Sequence, residues 1–398
     1  MNRSLLLLSA LLLASPLVPA QDAAPDAAML STRLLDHLDA GEYAAAEAMF
    51  DDRMRAAVPA SKLQAVWQSL PPAGDRGGPR VATQAGMRIV RTTLHRGVTQ
   101  WTATVALDPD GHVGGLLVAP WHEVQPLPPI PAGAPYTERD VTVGNGERAL
   151  PGTLAMPQAA SARGVQAVVL VQGSGPTDRN ETIAANRPFL DIARALAADG
   201  IATLRYDKRS FARPQDFAGS AYTVDDETTD DAVAAVALLR RTPGIDPARV
   251  FVLGHSQGGM LAPRIARHAG KDAVAGLVLL AAPARSLLDI IPEQNRNLAM
   301  RDGSLSADDK AMLAGIDAEI ARVRDGKPHP GELALGAPVS YWRAFDAIDP
   351  VADARAAHLP MLFLQGGRDV QVIDTDWQRW RAAFANQHDA TFHHYPML

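Results

Sequence analysis

Gly254-His255-Ser256-Gln257-Gly258-Gly259 is the stretch that decides how this chain is read. The run Arg249-Val250-Phe251-Val252-Leu253 leads in, mostly branched and apolar, and Met260, Leu261, Ile265 and Ala266 carry helical spacing on the way out. Together these flanks spell strand, sharp turn, helix, with Ser256 at the apex. The glycines let the backbone turn tightly, and a hydroxyl there stands above the sheet edge, near the positive end of the following helix. Ser256 is therefore the candidate nucleophile. The plainer alternative is a glycine-rich turn without chemistry.

Outward from this turn, strands and helices alternate. Asp140 to Val143 and Leu150 to Met156 read as a starting hairpin, and Val165 to Val171 as a buried parallel strand. Phe189 to Ala198 is a helix stopped by Gly200, Ile201 to Arg205 a strand, and Thr228 to Arg240 another helix. Arg249 to Leu253, Gly276 to Ala281 and Pro360 to Leu364 complete the central strands, and Thr391 to Tyr395 reads as the last one. The expectation is a doubly wound α/β domain over residues 138–398. Residues 284–353 break the alternation with charged helical sequence, placed where a helical lid could cover a site.

A serine hydroxyl is a weak nucleophile at neutral pH. It needs a base, a carboxylate to orient the base, and donors for the oxyanion. The backbone amide of Ser174, in Val171-Gln172-Gly173-Ser174-Gly175-Pro176, is one expected donor, and that of Gln257 is the other. This glycine turn lacks the Gly-Lys-Ser/Thr ending of a phosphate loop. Asp369 is the expected acid, because Leu362-Phe363-Leu364-Gln365-Gly366-Gly367-Arg368-Asp369 runs a strand into a turn at the sheet's carboxyl edge. Asp374 and Asp376 lie at the start of the next helix, where acids commonly cap. After Asp369 only His388, His393 and His394 remain, and the last two alternate across a strand. Without carboxylates at ligand spacing, that pair does not read as a metal site. The chemistry calls for no metal and no organic cofactor.

Composition removes other classes. The chain has 398 residues, 47% of them hydrophobic, a formal charge of −6 and no cysteine. It has no basic field for nucleic acid and no thiol for catalysis. Residues 1–20 read as a secretory signal peptide: Asn2-Arg3, apolar Leu5 to Leu13, and Val18-Pro19-Ala20 before a cut near Gln21. That apolar run is too short to span a membrane. A periplasmic or secreted location is the expectation, and a cysteine-free exported chain is consistent with a bacterial periplasm.

Residues 27–122 read as a small α+β domain. Leu30, Leu34, Leu35 and Leu38 mark a helix stopped by Gly41, Tyr43 to Met54 a second, and Leu63, Val66, Trp67 and Leu70 a third. Arg88 to Leu94, Thr99 to Leu107 and His112 to Val118 then alternate as antiparallel strands, with Asp108-Pro109-Asp110-Gly111 turning the last pair. That turn lacks the later ligands of a calcium loop. Trp67 and Trp101 read as core. Prolines 126, 128, 129, 131 and 135 make residues 123–137 a semi-rigid linker.

Four motifs now carry a resemblance: Gln172-Gly173-Ser174-Gly175-Pro176-Thr177-Asp178-Arg179-Asn180, Arg205-Tyr206-Asp207-Lys208-Arg209, Gly254 to Gly259, and Leu364-Gln365-Gly366-Gly367-Arg368-Asp369-Val370-Gln371-Val372. Residues 138–398 resemble a secreted α/β-hydrolase of the esterase and serine aminopeptidase-like group. The N-terminal domain resembles its cone-shaped companion, related to nuclear-transport-factor and cystatin-like folds. The resemblance implies cleavage of a small-molecule acyl ester through an acyl-enzyme, with no nucleic-acid partner. A peptidase acting on short peptides is the alternative, and would need carboxylates such as Glu293, Asp302 or Asp317 to hold a substrate ammonium. A ligand-binding protein on an inert hydrolase scaffold is the third reading. The family carries its histidine shortly after a Tyr-Pro pair like Tyr395-Pro396, so the expectation is that this chain stops a few residues short of its base. Ser210 stands where the group usually has glycine, and Asp207, Lys208 and Arg209 read as a buried ion-pair network.

Overall fold

The computed structural model describes residues 25–84, 87–120, 126–158, 163–217, 221–300, 303–325 and 333–398. The expected signal peptide, 1–20, lies outside them. The chain divides into two compact units, one ending at Pro126 and one running from Leu127 to Leu398. Residues 126–135, rich in proline, are mostly exposed and without regular structure.

In the first unit, helices Pro25–Asp39, Tyr43–Ala48, Asp52–Ala57 and Ala60–Ser69 precede a five-stranded antiparallel sheet. Strand Met87–Arg96 is central to it: Ala73–Arg76 and Arg80–Gln84 pair on one side, and Thr99–Leu107 followed by Val113–Pro120 extends the other. The leucines at helical spacing and the alternating strand residues meet in one core, with Leu34, Leu35, Leu38, Phe50, Trp67, Val90, Leu94 and Val105 buried. The expected single helix from Tyr43 to Met54 is broken. Phe50 leaves helical geometry to bridge Val113, and the Asp51 carboxylate then caps the next helix by accepting from the Met54 amide at 2.6 Å.

The second unit is built on eight strands: β1 (Tyr136–Val143), β2 (Leu150–Pro157), β3 (Val165–Val171), β4 (Ala202–Tyr206), β5 (Ile245–His255), β6 (Gly276–Leu280), β7 (Met361–Gly366) and β8 (Ala390–Tyr395). Their spatial order is β1-β2-β4-β3-β5-β6-β7-β8. Strands β1 and β2 pair antiparallel, as do β2 and β4, and every later pairing is parallel. This is a doubly wound sheet with the topology of an α/β-hydrolase. Crossover helices α1 (Pro188–Ala198), α2 (Asp230–Arg240), α3 (Gln257–Ala269) and α8 (Asp374–Phe384) cover it. Between β6 and β7 the chain inserts α4 (Leu287–Ala299), α5 (Ala307–Arg324), a two-residue hairpin, α6 (Val339–Asp346) and α7 (Pro350–Ala357).

The near-continuous apolar β3 is sandwiched, with Ala167, Val169, Leu170 and Val171 fully buried. The carboxyl ends of β3, β5 and β7 point the same way, so the loops after them gather at one edge of the sheet.

Candidate active site

Ser256 joins β5 to α3 with φ 50° and ψ −117°, outside the regions that an L-residue occupies without strain. Such a conformation costs about 1–3 kcal/mol and persists only where the surroundings over-determine it. Here the surroundings are backbone. A Cβ on Gly254 would sit 2.1 Å from the Gly258 carbonyl oxygen, and one on Gly258 would sit 2.3 Å from that of Val171. Gly259 is less tightly enclosed, with Ala282 Cβ and the Gly254 carbonyl oxygen each at 2.8 Å. The three glycines therefore let α3 start directly against β3 and β5, while the Ser256 amide donates to the Leu280 carbonyl at 2.9 Å. Ser256 is only partly buried, and the first-turn amides of α3, beginning with Gln257, have no acceptor within the helix.

The loop after β3 lies against this elbow. A Cβ on Gly173 would meet Glu181 Oε1 at 3.2 Å, Ser256 Cβ at 3.3 Å and His255 Nδ1 at 3.4 Å. Both sides of Gly173 are held: its amide donates to Glu181 Oε1 at 2.7 Å, and its carbonyl accepts from Lys208 Nζ at 2.9 Å. That carbonyl shares a trans peptide plane with the Ser174 N–H, so fixing one directs the other the opposite way. Ser174 itself is exposed at the loop's crest.

Glu181 and His255 were not singled out in the sequence. Glu181, buried and at φ 52°, accepts from His255 Nδ1 at 2.8 Å. Burial pushes the His255 imidazolium down, but the Glu181 hydrogen bond and the charges of Glu181 and Asp369 outweigh it, so its pKa is raised. Strands β5 and β7 run parallel through β6, so the turns carrying Ser256 and Asp369 lie at the same edge of the sheet.

Asp369 sits in the turn beyond β7. Its Oδ1 accepts from the amides of Gln371 at 2.8 Å and Val372 at 3.0 Å, and its Oδ2 from Gln365 Nε2 at 3.3 Å. The chain after β8 is laced to this turn: the Gly367 amide donates to the Tyr395 carbonyl at 2.8 Å and the Arg368 amide to the Leu398 carbonyl at 2.6 Å. His393 and His394 pair opposite Leu364 and Gln365, and both are exposed. The His394 ring lies 5.5 Å from that of Trp377 on α8. Among the described residues, neither the Ser256 hydroxyl nor the Asp369 carboxylate hydrogen-bonds to a histidine.

Beneath the elbow is a buried polar cluster centred on Glu227, in a π-helical turn, Asp225–Thr229, just before α2. Glu227 Oε1 lies 3.3 Å from Lys208 Nζ and accepts from Ser210 Oγ at 3.0 Å. Its Oε2 accepts from Tyr341 Oη at 3.0 Å and from Gln257 Nε2 at 3.3 Å. Ser210, where the group usually has glycine, thus adds a hydroxyl to this cluster. Asp207 holds Arg179, and Arg209 holds Asp216 and Asp231, so both belong to ion pairs rather than to an open site.

Asp376 is not a helix cap. It is fully buried and accepts from the Ala284 amide and from Arg285, pinning the start of the inserted segment to α8. Of the acids named for an ammonium subsite, Glu293 is paired with Arg285 at 2.7 Å, Asp317 is exposed on α5, and Asp302 lies outside the described residues. Among the described residues, one group of acids and histidine is close enough to share a metal ion. It is Asp108, Asp110 and His112, on the turn between the last two strands of the first unit.

Comparison with known proteins identifies a family. The family model described as "Serine aminopeptidase, S33" matches residues 184–398, more than half of the chain. Esterase EstD of Thermotoga maritima is 33% identical over 351 residues, covering 87% of this chain and 81% of that protein. Among solved structures, an esterase of Pyrococcus furiosus is 15% identical, covering 67% of this chain and 84% of its own, with a TM-score of 0.43. An esterase of Pyrobaculum calidifontis is 17% identical over 65% of this chain and 75% of its own, with a TM-score of 0.42. The elbow, the sheet order and the extent of the family match lead to one conclusion: this chain belongs to the serine aminopeptidase S33 family of α/β-hydrolases.

Proposed function

We propose that the protein is a serine hydrolase that cleaves carboxylic esters through an acyl-enzyme. The observation that carries this reading is the backbone of Ser256, held at φ 50° against the Gly173–Ser174 peptide. In the proposed reaction Ser256 Oγ attacks the acyl carbon and its proton passes to a histidine base. The amides of Ser174 and Gln257 receive the developing oxyanion. Collapse breaks the bond to the alcohol oxygen, which takes the proton from the base and leaves. Water, deprotonated by the same base, then attacks the acyl-enzyme and releases a carboxylic acid and free Ser256.

Asp369 is the proposed orienting acid, since two backbone amides fix its carboxylate at the edge that carries Ser256. We propose a histidine as the base; of the three that follow Asp369, His388, His393 and His394, none hydrogen-bonds to Ser256 or to Asp369 in the structure. His393 and His394, on β8, are tested by mutation to alanine: loss of turnover with the titrated Ser256 retained would mark that histidine as the base.

EstD is called an esterase, and this favours an ester over a peptide substrate here. An aminopeptidase would need acids left over to hold an ammonium, and Glu293 is already neutralised by Arg285. The test is a comparison of p-nitrophenyl acyl esters with aminoacyl-p-nitroanilides on the full-length protein. Turnover of the esters, lost in Ser256→Ala, is expected; preference for the anilides would favour the peptidase, and turnover of neither an inert binding scaffold. Export directed by residues 1–20, a lid role for residues 284–353 and a companion-domain role for residues 27–122 belong to the same proposal. Cell fractionation and the N-terminus of the mature protein, expected near Gln21, check the first.

A further inference from the structure

We infer that the buried Lys208–Glu227 pair is a positioning device that sets both oxyanion donors at once, and that Tyr341 ties it to the inserted helices. The inference rests on the proposed role of the Ser174 and Gln257 amides. One arm of the device runs from Glu227 through Lys208 Nζ to the Gly173 carbonyl, 3.3 Å and 2.9 Å. Because that carbonyl is anti to the Ser174 N–H in one planar group, the lysine aims this donor, and a charge-assisted bond to the oxygen also polarises the N–H. The second arm runs from Glu227 Oε2 to the side chain of Gln257, whose own amide is the other donor.

The third arm reaches α6. Tyr341 donates to the same Oε2, across 114 residues of sequence, from a helix of the segment inserted between β6 and β7. Burial and the Glu227 charge hold the Tyr341 phenol well above its ordinary pKa, so it remains a donor. Lys208 and Gln257 are each 1% exposed, and Glu227 and Tyr341 7%. Water competes little for these bonds, and a half-satisfied network in such surroundings reorganises. A π-helical turn at this point widens the backbone beside Glu227, a feature that recurs at functional sites. Ser210 Oγ supplies a further bond to Oε1, so each carboxylate oxygen has two partners. The consequence is that a shift of α6 is felt at the oxyanion donors without any contact between α6 and the substrate.

The experiment uses Glu227→Gln and Tyr341→Phe in the full-length protein, with Ser256→Ala alongside. Active serine is counted by fluorophosphonate titration, kcat and KM are measured on a p-nitrophenyl ester, and Ki on a trifluoromethyl ketone that forms a tetrahedral oxyanion adduct. Expected is a fall in kcat per titrated serine of about tenfold to a hundredfold in Glu227→Gln, smaller but same-signed in Tyr341→Phe, with KM within about threefold. The ketone Ki should rise in step with the loss in kcat, whereas a purely structural role would lower the titrated fraction and leave both quantities per site unchanged. Unchanged kcat and Ki per titrated serine in Tyr341→Phe and Glu227→Gln would overturn the inference while leaving Ser256 as nucleophile. If Ser256→Ala retains full turnover, the catalytic reading fails and the inference with it.

Discussion

Replacing Gly258 with alanine probes the part of the architecture that brings the nucleophile and the loop after β3 together. The added Cβ would lie 2.3 Å from the Val171 carbonyl oxygen and 2.6 Å from that of Gln172. Both are backbone atoms, so no side chain can turn aside. Ordinary contact requires about 1 Å more, and α3 must separate from the end of β3 by that amount. Overpacking of this kind costs about 1–3 kcal/mol of stability, and a misplacement of about 1 Å at reacting groups costs about a hundredfold in rate. Gly270→Ala is the control, at the other end of the same helix. Its φ of +100° makes it strained, but no atom lies within 4 Å of the new methyl. It should lose about 1–2 kcal/mol of stability and no activity per titrated serine. The assay is kcat/KM on p-nitrophenyl acetate, normalised to fluorophosphonate-titrated protein, beside thermal melts of all three proteins. A Gly258→Ala protein with kcat/KM within twofold of wild type would refute the reasoning, because the elbow would then not depend on the contact between α3 and β3.

Other predictions concern charge. Asp369→Asn should lower kcat by about 10⁴-fold in steady-state assays, while Asp374→Asn should leave it near wild type. Glu181→Gln keeps an acceptor for the Gly173 amide but removes the charge that raises the His255 pKa. A histidine with a raised folded-state pKa adds stability that is fully present below its unfolded pKa, about 6.5, and lost as pH rises through the folded value. The denaturation difference between wild type and Glu181→Gln should therefore be larger at pH 6 than at pH 9. In the first unit, burial opposes ionisation of Asp39, but hydrogen bonds from Arg76 and Trp67 and the Arg96 charge prevail, so its pKa is lowered. That stability is present above the unfolded pKa and lost as pH falls through the folded one. Melting of Asp39→Asn should accordingly be depressed at pH 7, with the gap to wild type closing in acid.

The parts of the site legible in the sequence were those written locally. A strand, a glycine turn and a helix are consecutive around Ser256, and the same holds for the turns after β3 and β7. Doubly wound alternation was visible because buried parallel strands are continuous apolar runs. Glu181, Glu227 and Tyr341 were hidden for the opposite reason. Tyr341 meets Glu227 across 114 residues, and His255 meets Glu181 across 74. No spacing rule links such pairs before the topology is known. Asp376 shows how a local rule misleads: it stands where caps stand, yet a tertiary partner, Arg285, claims it. Likewise Tyr43 to Met54 has helical composition throughout, and a single bridge from Phe50 to the sheet interrupts it.

If Ser256 forms the covalent intermediate, mass spectrometry of the whole protein and of its peptides will find the adduct there. Full-length protein is incubated with a fluorophosphonate, or quenched in acid during turnover of a slow p-nitrophenyl ester, then digested and mapped. One phosphonyl or acyl adduct per chain is expected, on the peptide containing Ser256, and none in Ser256→Ala. An adduct on another residue, or ester turnover that persists in Ser256→Ala, would contradict this assignment.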